Sequence, residues 1–275
     1  MGPAGCAVTG IGVRSLRSHV TPEIGQPLSG RYAVPDVPAF LDECDTVELK
    51  AVLTEAEGRR AARSLGFDLA DASTRHVYYL DTPALALEAA GVIVRIRRNG
   101  DAGADTTVRI RPADPAALDP ELRRRKGFNV ELDMAAHGFV CSASLKTRLA
   151  GATVAAAVSG RTPPGGLFTP RQRRLFQAYA PCGVGLDGLS LFGPVRVQRL
   201  AGTARGWQQP LALQLWEFPA EPVLELSSKV AASDAATAVA RWPSFLDLHR
   251  VIPRLFRHTK SQTALRVSAP RPAYG

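Results

Sequence analysis

Two short runs, Val92-Ile-Val-Arg-Ile-Arg-Arg98 and Thr106-Thr-Val-Arg-Ile-Arg111, alternate arginine with valine and isoleucine. Side chains leave a strand on alternate faces, so Arg95 and Arg97 share one face, as do Arg109 and Arg111, and the apolar residues take the other. Guanidinium groups two residues apart on one face stand roughly 6–7 Å from each other and repel. A fold that keeps two such pairs on consecutive strands needs something anionic to relieve them. The chain must therefore build a sheet with one apolar face and one face that meets anions.

The whole-chain balance points the same way. With 34 Lys+Arg against 25 Asp+Glu, the 275 residues carry a formal net charge of +9, which favours nucleic acid, an anionic surface or a phosphorylated small molecule as partner. The four cysteines (Cys6, Cys44, Cys141, Cys182) are far apart and form no CxxC pair. Neither a disulfide framework nor a zinc site follows from them, and a cytoplasmic location is the expectation. No apolar stretch is long enough to span a bilayer, so no membrane role is expected.

Along the chain, residues 1–40 are rich in Gly, Pro and Ser and read as a loosely ordered leader. Residues 41–266 read as one folded domain, and 267–275 as a loose tail. Thr46–Leu53 alternates like a strand, and Thr54 is a candidate N-cap for a helix running to about Leu65. His76–Leu80 reads as a strand ended by Asp81-Thr-Pro. Asp101–Asp105 reads as the hairpin loop between the two arginine strands. Phe128–Asp133 is a further strand. Residues 142–158 read as helical, and 170–178 as a short strand or helix. Four strand-like runs follow at 184–191, 195–200, 211–218 and 223–230, then a helix over 231–248. Two strand-rich halves joined by a helical middle imply an α+β fold, an antiparallel sheet or barrel with helices outside.

Several local patterns carry little chemistry. Gly183-Val-Gly-Leu-Asp-Gly188 spells GxGxxG but lacks a preceding strand, and it reads as a glycine-rich strand edge rather than a dinucleotide loop. The five histidines show no metal-ligand spacing. No serine sits in a nucleophile elbow, so no protein nucleophile is nominated. The basic runs Arg123-Arg-Arg-Lys126 and Arg171-Gln-Arg-Arg174 read as solvated surface rather than as a specific nucleic-acid reader.

The acidic strand residues say more. Glu48 shares a face with Lys50, Glu131 with Asp133, and Glu225 with Ser227 and Lys229. For any one strand, cross-strand salt bridges on a solvated face would explain the pattern. Repetition across both halves favours a charged cavity. Carboxylates are the hard oxygen ligands of Mg2+ or Mn2+, and arginine holds phosphate through bidentate hydrogen bonds.

These residues resemble the CYTH domain of the triphosphate tunnel metalloenzymes. Val47-Glu48-Leu49-Lys50 is similar to the ExExK signature, Tyr79-Leu-Asp-Thr-Pro83 to the YxDTP turn, and Arg95-Ile-Arg97 to the RxR strand. Thr107-Val-Arg109 takes the place of the TxK strand, while Val130–Asp133 and Leu224–Lys229 resemble later acidic strands. The resemblance covers roughly residues 44–266. It implies an eight-stranded antiparallel β-tunnel, a divalent metal, and hydrolysis or cyclisation of triphosphate compounds. Carried over, Lys50, Arg95, Arg97, Arg109 and Arg111 bind phosphate, and Glu48, Glu131 and Glu225 bind metal. Asp133, Arg173 or Arg174, and Asp187 are further candidates. The sequence departs at Thr46 and Ser227, where the resemblance leads one to expect carboxylates.

The leading expectation is a Mg2+- or Mn2+-dependent phosphohydrolase acting on inorganic triphosphate, short polyphosphate or an organic triphosphate. The alternative is a module that binds polyphosphate or nucleotide without turnover.

Overall fold

A computed structural model describes residues 41–100, 103–136, 138–255, 259–268 and 270. The leader 1–40, most of the tail, His137 and His258 lie outside the described residues. Nine strands form one closed barrel: β1 (Thr46–Thr54), β2 (Ser73–Asp81), β3 (Val92–Arg98), β4 (Ala104–Ile110), β5 (Phe128–Ala135), β6 (Gly138–Leu149), β7 (Ser190–Ala204), β8 (Trp207–Glu217) and β9 (Val223–Ala231). Their order around the barrel is β1-β5-β6-β4-β3-β2-β7-β8-β9.

The closed α+β barrel agrees with expectation, with nine strands in place of eight and one parallel pair among the antiparallel ones. After β4 the chain crosses over, so β6 pairs with β4 and β5 is carried beyond it to meet β1. There β5 runs parallel to β1, with Thr46 opposite Glu131 and Glu48 opposite Asp133, while every other pair is antiparallel. Residues 142–149, read as helical, continue β6, and only Gly151–Val158 forms a helix. The runs at 184–191 and 195–200 resolve into a turn followed by β7. The GxGxxG stretch leads into that strand, so the helix a dinucleotide needs is missing.

Alternation explains the layering. On β1, Val47, Leu49, Ala51 and Leu53 are 2% exposed or less and point outward under helices, which leaves Glu48, Lys50 and Val52 inward. Burying each large aliphatic side chain of that row contributes about 1.5–3 kcal/mol. The first helix, α1 (Glu55–Leu65), starts at Thr54 with a complete capping box to Glu57, as expected. It approaches the sheet so closely that a Cβ on Gly58 would lie 2.2 Å from Leu224 Cδ2. Short helices α2 (Ala86–Ala89) and α3 (Pro120–Arg123) follow, then α4 (Gly151–Val158) and α5 (Pro170–Tyr179). The buried Gln172 of α5 donates to the carbonyls of Thr106 and Leu145, each at 3.1 Å, which ties the helix to β4 and β6 together. The long α6 (Ala232–Leu248) lies against β1 and β9, and α7 (Lys260–Val267) packs on β2 and β7.

Asp81 has a structural task. Its carboxylate accepts from the backbone N–H groups of Thr82, Leu87 and Glu88 at 2.7–2.9 Å and so fixes the Asp-Thr-Pro turn and the start of α2.

Candidate functional site

The inward rows enclose a cavity of about 1450 Å³ whose lining includes Glu48, Lys50, Arg75, Tyr79, Arg95, Arg97, Arg109, Arg111, Glu131, Asp133 and Glu225. All eight substrate and metal candidates read from the sequence thus share one space. Strand parity puts them there: Glu48 and Lys50 from β1, Arg95 and Arg97 from β3, Glu131 from β5 and Glu225 from β9.

One region is dominated by carboxylates. Glu48, Glu131 and Asp133 present oxygens that all lie within 4.8 Å of one another. The parallel β1–β5 pairing creates this group, since it sets Glu48 beside Asp133. Asp133 accepts a short ion pair from Lys50 and faces Arg109 at 3.8 Å and Arg111 at 3.7 Å. Arg109 also reaches Glu131 at 3.2 Å, Lys50 reaches Glu48 at 2.9 Å, and Lys229 pairs closely with Glu131. Burial would raise the Asp133 pKa, but Lys50, Arg109 and Arg111 outweigh it and hold the carboxyl well below its usual range. Glu48 is lowered in the same way, burial being overcome chiefly by Lys50. Burial would lower Lys50, yet Asp133 and Glu48 hold it raised. Asp133 and Glu48 are thus held toward the ionised form, with Glu131 beside them. Their hard, convergent oxygens suit Mg2+ or Mn2+.

Glu225 stands outside that triad. It is engaged by Lys260, the first residue of α7, whose ammonium also lies 5.0 Å from the Trp216 ring centroid. Burial lowers the Lys260 pKa, with Glu225 opposing.

The other region has a surplus of cations. Arg97 forks onto Asp105 Oδ2 through Nε at 3.0 Å and a terminal nitrogen at 2.8 Å, and Lys146 approaches the same oxygen at 3.7 Å. Arg95 only grazes Thr107 Oγ1 at 3.5 Å, and its buried Nε has no hydrogen-bond partner. Among the described residues neither Arg75 nor Arg95 has a carboxylate ion-pair partner. Burial first, then neighbouring arginines, pushes both guanidinium pKa values down to about 10. Burial together with Arg97 likewise lowers Arg199. Asp105 offsets this only in part, so the group of guanidinium charges favours binding of an anion.

The remaining candidates fall elsewhere. Arg173 and Arg174 are helical and outside the lining: Arg173 pairs with Asp187 at 3.5 Å and Arg174 with Asp119 at 2.9 Å. The helical setting of Pro170–Tyr179 removes them from any strand row. At the departures, Thr46 accepts from Asn129 Nδ2 at 3.0 Å, and Ser227 is buried opposite Lys50. Arg75, Asp105, Lys146 and Lys260 escaped the sequence reading. Parity with Tyr79 on β2 and with Arg109 on β4 was the available signal for Arg75 and Asp105. Nothing local marks Lys260, which reaches the barrel from a distant helix.

The sequence matches no protein-family profile and no curated protein. Solved structures do match. A candidate adenylate cyclase from Bacillus halodurans aligns with a TM-score of 0.55 at 12% identity, covering 78% of this chain and 94% of its own. A candidate adenylyl cyclase from Hippeastrum, described as having a dominant triphosphatase activity, aligns with a TM-score of 0.54 at 15% identity, covering 78% of this chain and 92% of its own. At these identities the likeness is one of fold, and it takes in almost the whole of both neighbours.

Proposed function

We propose that this protein is a divalent-metal-dependent phosphohydrolase that cleaves the phosphoanhydride of inorganic triphosphate, short polyphosphate or an organic triphosphate. The observation carrying this reading is Arg95, whose buried Nε has no hydrogen-bond partner and which has no carboxylate at ion-pair distance among the described residues, in the same cavity as three convergent carboxylates. The fold shared with a neighbour described as a triphosphatase supports it.

In this reading Arg95, Arg97, Arg109, Arg111 and Lys50 hold the phosphates and bear the negative charge that grows on the leaving oxygen. Glu48, Glu131 and Asp133 would hold Mg2+ or Mn2+, with Glu225 at the edge of that set. The bound cation would supply charge neutralisation and a water of lowered pKa. Water adds to the terminal phosphorus as its bond to the bridging oxygen breaks, and no side chain is acylated or phosphorylated. Fixed guanidinium groups in a walled cavity need little reorganisation at that moment.

Purified protein with Mg2+ or Mn2+ should release phosphate from tripolyphosphate, and Arg95→Ala/Arg97→Ala should cut kcat/KM by at least about 100-fold, the loss expected when charge-stabilising donors are removed. Absence of release from every such substrate sinks the hydrolase reading. A second reading, binding without turnover, draws on Thr46 and Ser227 standing where carboxylates would strengthen a metal site. Tight metal-free binding of tripolyphosphate that survives Glu48→Ala, with no phosphate release, selects it.

A further inference from the structure

The cavity holds more cationic groups than a triphosphate needs, and they are arranged in a line. Asp105 and Arg109 end the inward row of β4, separated by roughly 14 Å of strand, and Arg111 lies just past the strand and lines the same cavity. Lys50, Arg109 and Arg111 stand with the three carboxylates toward one end. Toward the other, Arg75, Arg97 and Lys146 line the wall, with Asp105 2.8 Å from Arg97 and 3.7 Å from Lys146, and Arg199, two residues beyond the lining Val197 on β7, adds its positive charge to that of Arg75. Arg75 carries no ion pair among the described residues. Arg148 lines the same cavity at its rim, as do exposed Lys126 and Arg171. A volume of about 1450 Å³ exceeds an ordinary small-molecule pocket.

We propose that Arg75, Arg199, Lys146 and Arg148 form a second anion station, which takes the continuing chain of a linear polyphosphate whose end lies among Arg95, Arg97 and Arg109. This rests on the tunnel being the anion site argued above, and it names long-chain polyphosphate as the preferred ligand class. The favoured ligand is inorganic because this stretch offers repeated cations but few aromatic rings on which bases could stack.

The test is metal-free calorimetric titration of the full chain at low salt with tripolyphosphate, long-chain polyphosphate and a 5′-triphosphorylated single-stranded RNA, which keeps binding separate from hydrolysis. Long-chain polyphosphate should bind at least about tenfold tighter than tripolyphosphate, as expected for added charge-assisted contacts. That ratio should collapse toward one in Arg75→Ala/Arg199→Ala and shrink in the rim variant Lys146→Ala/Arg148→Ala, which truncates only exposed side chains. Equal affinity for the two phosphates in the native protein overturns the second station while leaving the hydrolase reading standing. A ratio that persists in both variants also overturns it. Tighter binding of the RNA, lost in the same variants, replaces polyphosphate by nucleic acid. Length-dependent binding, together with no phosphate release in a parallel assay with Mg2+ or Mn2+, keeps the station and removes the hydrolase.

Discussion

Asp133 shows how one side chain can serve both stability and site chemistry. Lys50, Arg109 and Arg111 all converge on its buried carboxylate. Removing one partner from a buried charge set leaves the others uncompensated, at a cost of about 3–5 kcal/mol. Asp133→Asn should lose about that much unfolding free energy in urea, together with metal-dependent activity. The pH sign follows from the lowered pKa values of Asp133 and Glu48. A carboxylate depressed in the folded state contributes stability above its unfolded value of about 4 and loses it as pH falls toward the folded value. Native protein should therefore lose stability steeply below about pH 4, and Asp133→Asn should show a shallower acid limb. An identical limb in both would remove Asp133 as its source. Strand parity with Glu131 made Asp133 visible in the sequence. Its membership of the triad in preference to Glu225 was not visible, because that depends on the parallel β1–β5 register and on Lys260 occupying Glu225.

At the scale of elements, legibility tracked how local the cause was. The capping box at Thr54 is set by neighbouring residues and formed as read, and β3 pairs with β4 as expected, although Ala104 and Asp105, read as loop, belong to β4 and residues 101–102 lie outside the described residues. The Cys141–Lys146 stretch of β6 misled because its Ala143, Ser142 and Ser144 lack the β-branched signature of a strand. They lie between β4 and β5, and pairing on both sides overrides propensity. The role of α7 was equally hidden. Its Ala264 and Leu265 are buried in a second apolar cluster with Val77, Tyr79, Val197, Trp216 and Phe218. Those barrel residues face inward, so α7 fills part of the barrel with a small core and leaves the charged part open. Ser261 donates to the Tyr79 hydroxyl at 3.3 Å and adds a polar tie. Truncating such a side chain forfeits both transfer energy and packing. Leu265→Ala should therefore lower unfolding free energy by about 2–5 kcal/mol. A change under about 0.5 kcal/mol, the range of ordinary surface substitutions, would show that α7 does not anchor the barrel.

For the whole molecule, a net charge of +9 leaves more cations than carboxylates to pair them. Some outer-surface arginines, such as Arg59 and Arg174, are matched by Glu55 and Asp119, whereas among the described residues Arg75 and Arg95 inside have no carboxylate at ion-pair distance. The lowered guanidinium pKa of Arg95, about 10, states the same fact as an energy. Below that pH the folded state holds a charge that the unfolded chain would solvate freely, so the group opposes folding throughout the neutral range. Function-bearing sites commonly carry such a cost. Two thermal consequences follow, opposite in sign. Without ligand at neutral pH and low salt, Arg95→Met should melt higher than the native protein, by the equivalent of about 0.5–2 kcal/mol. Tripolyphosphate should raise the melting temperature of the native protein, because it binds the folded state and neutralises the wall, and the rise should be smaller in Arg95→Met. The increment should also fall as salt rises from about 0.01 to 0.15 M, where screening shortens from roughly 30 to 8 Å. If Arg95→Met instead melts lower without ligand and gains as much from tripolyphosphate as the native chain, Arg95 is a packing residue, and the anion wall must be drawn without it.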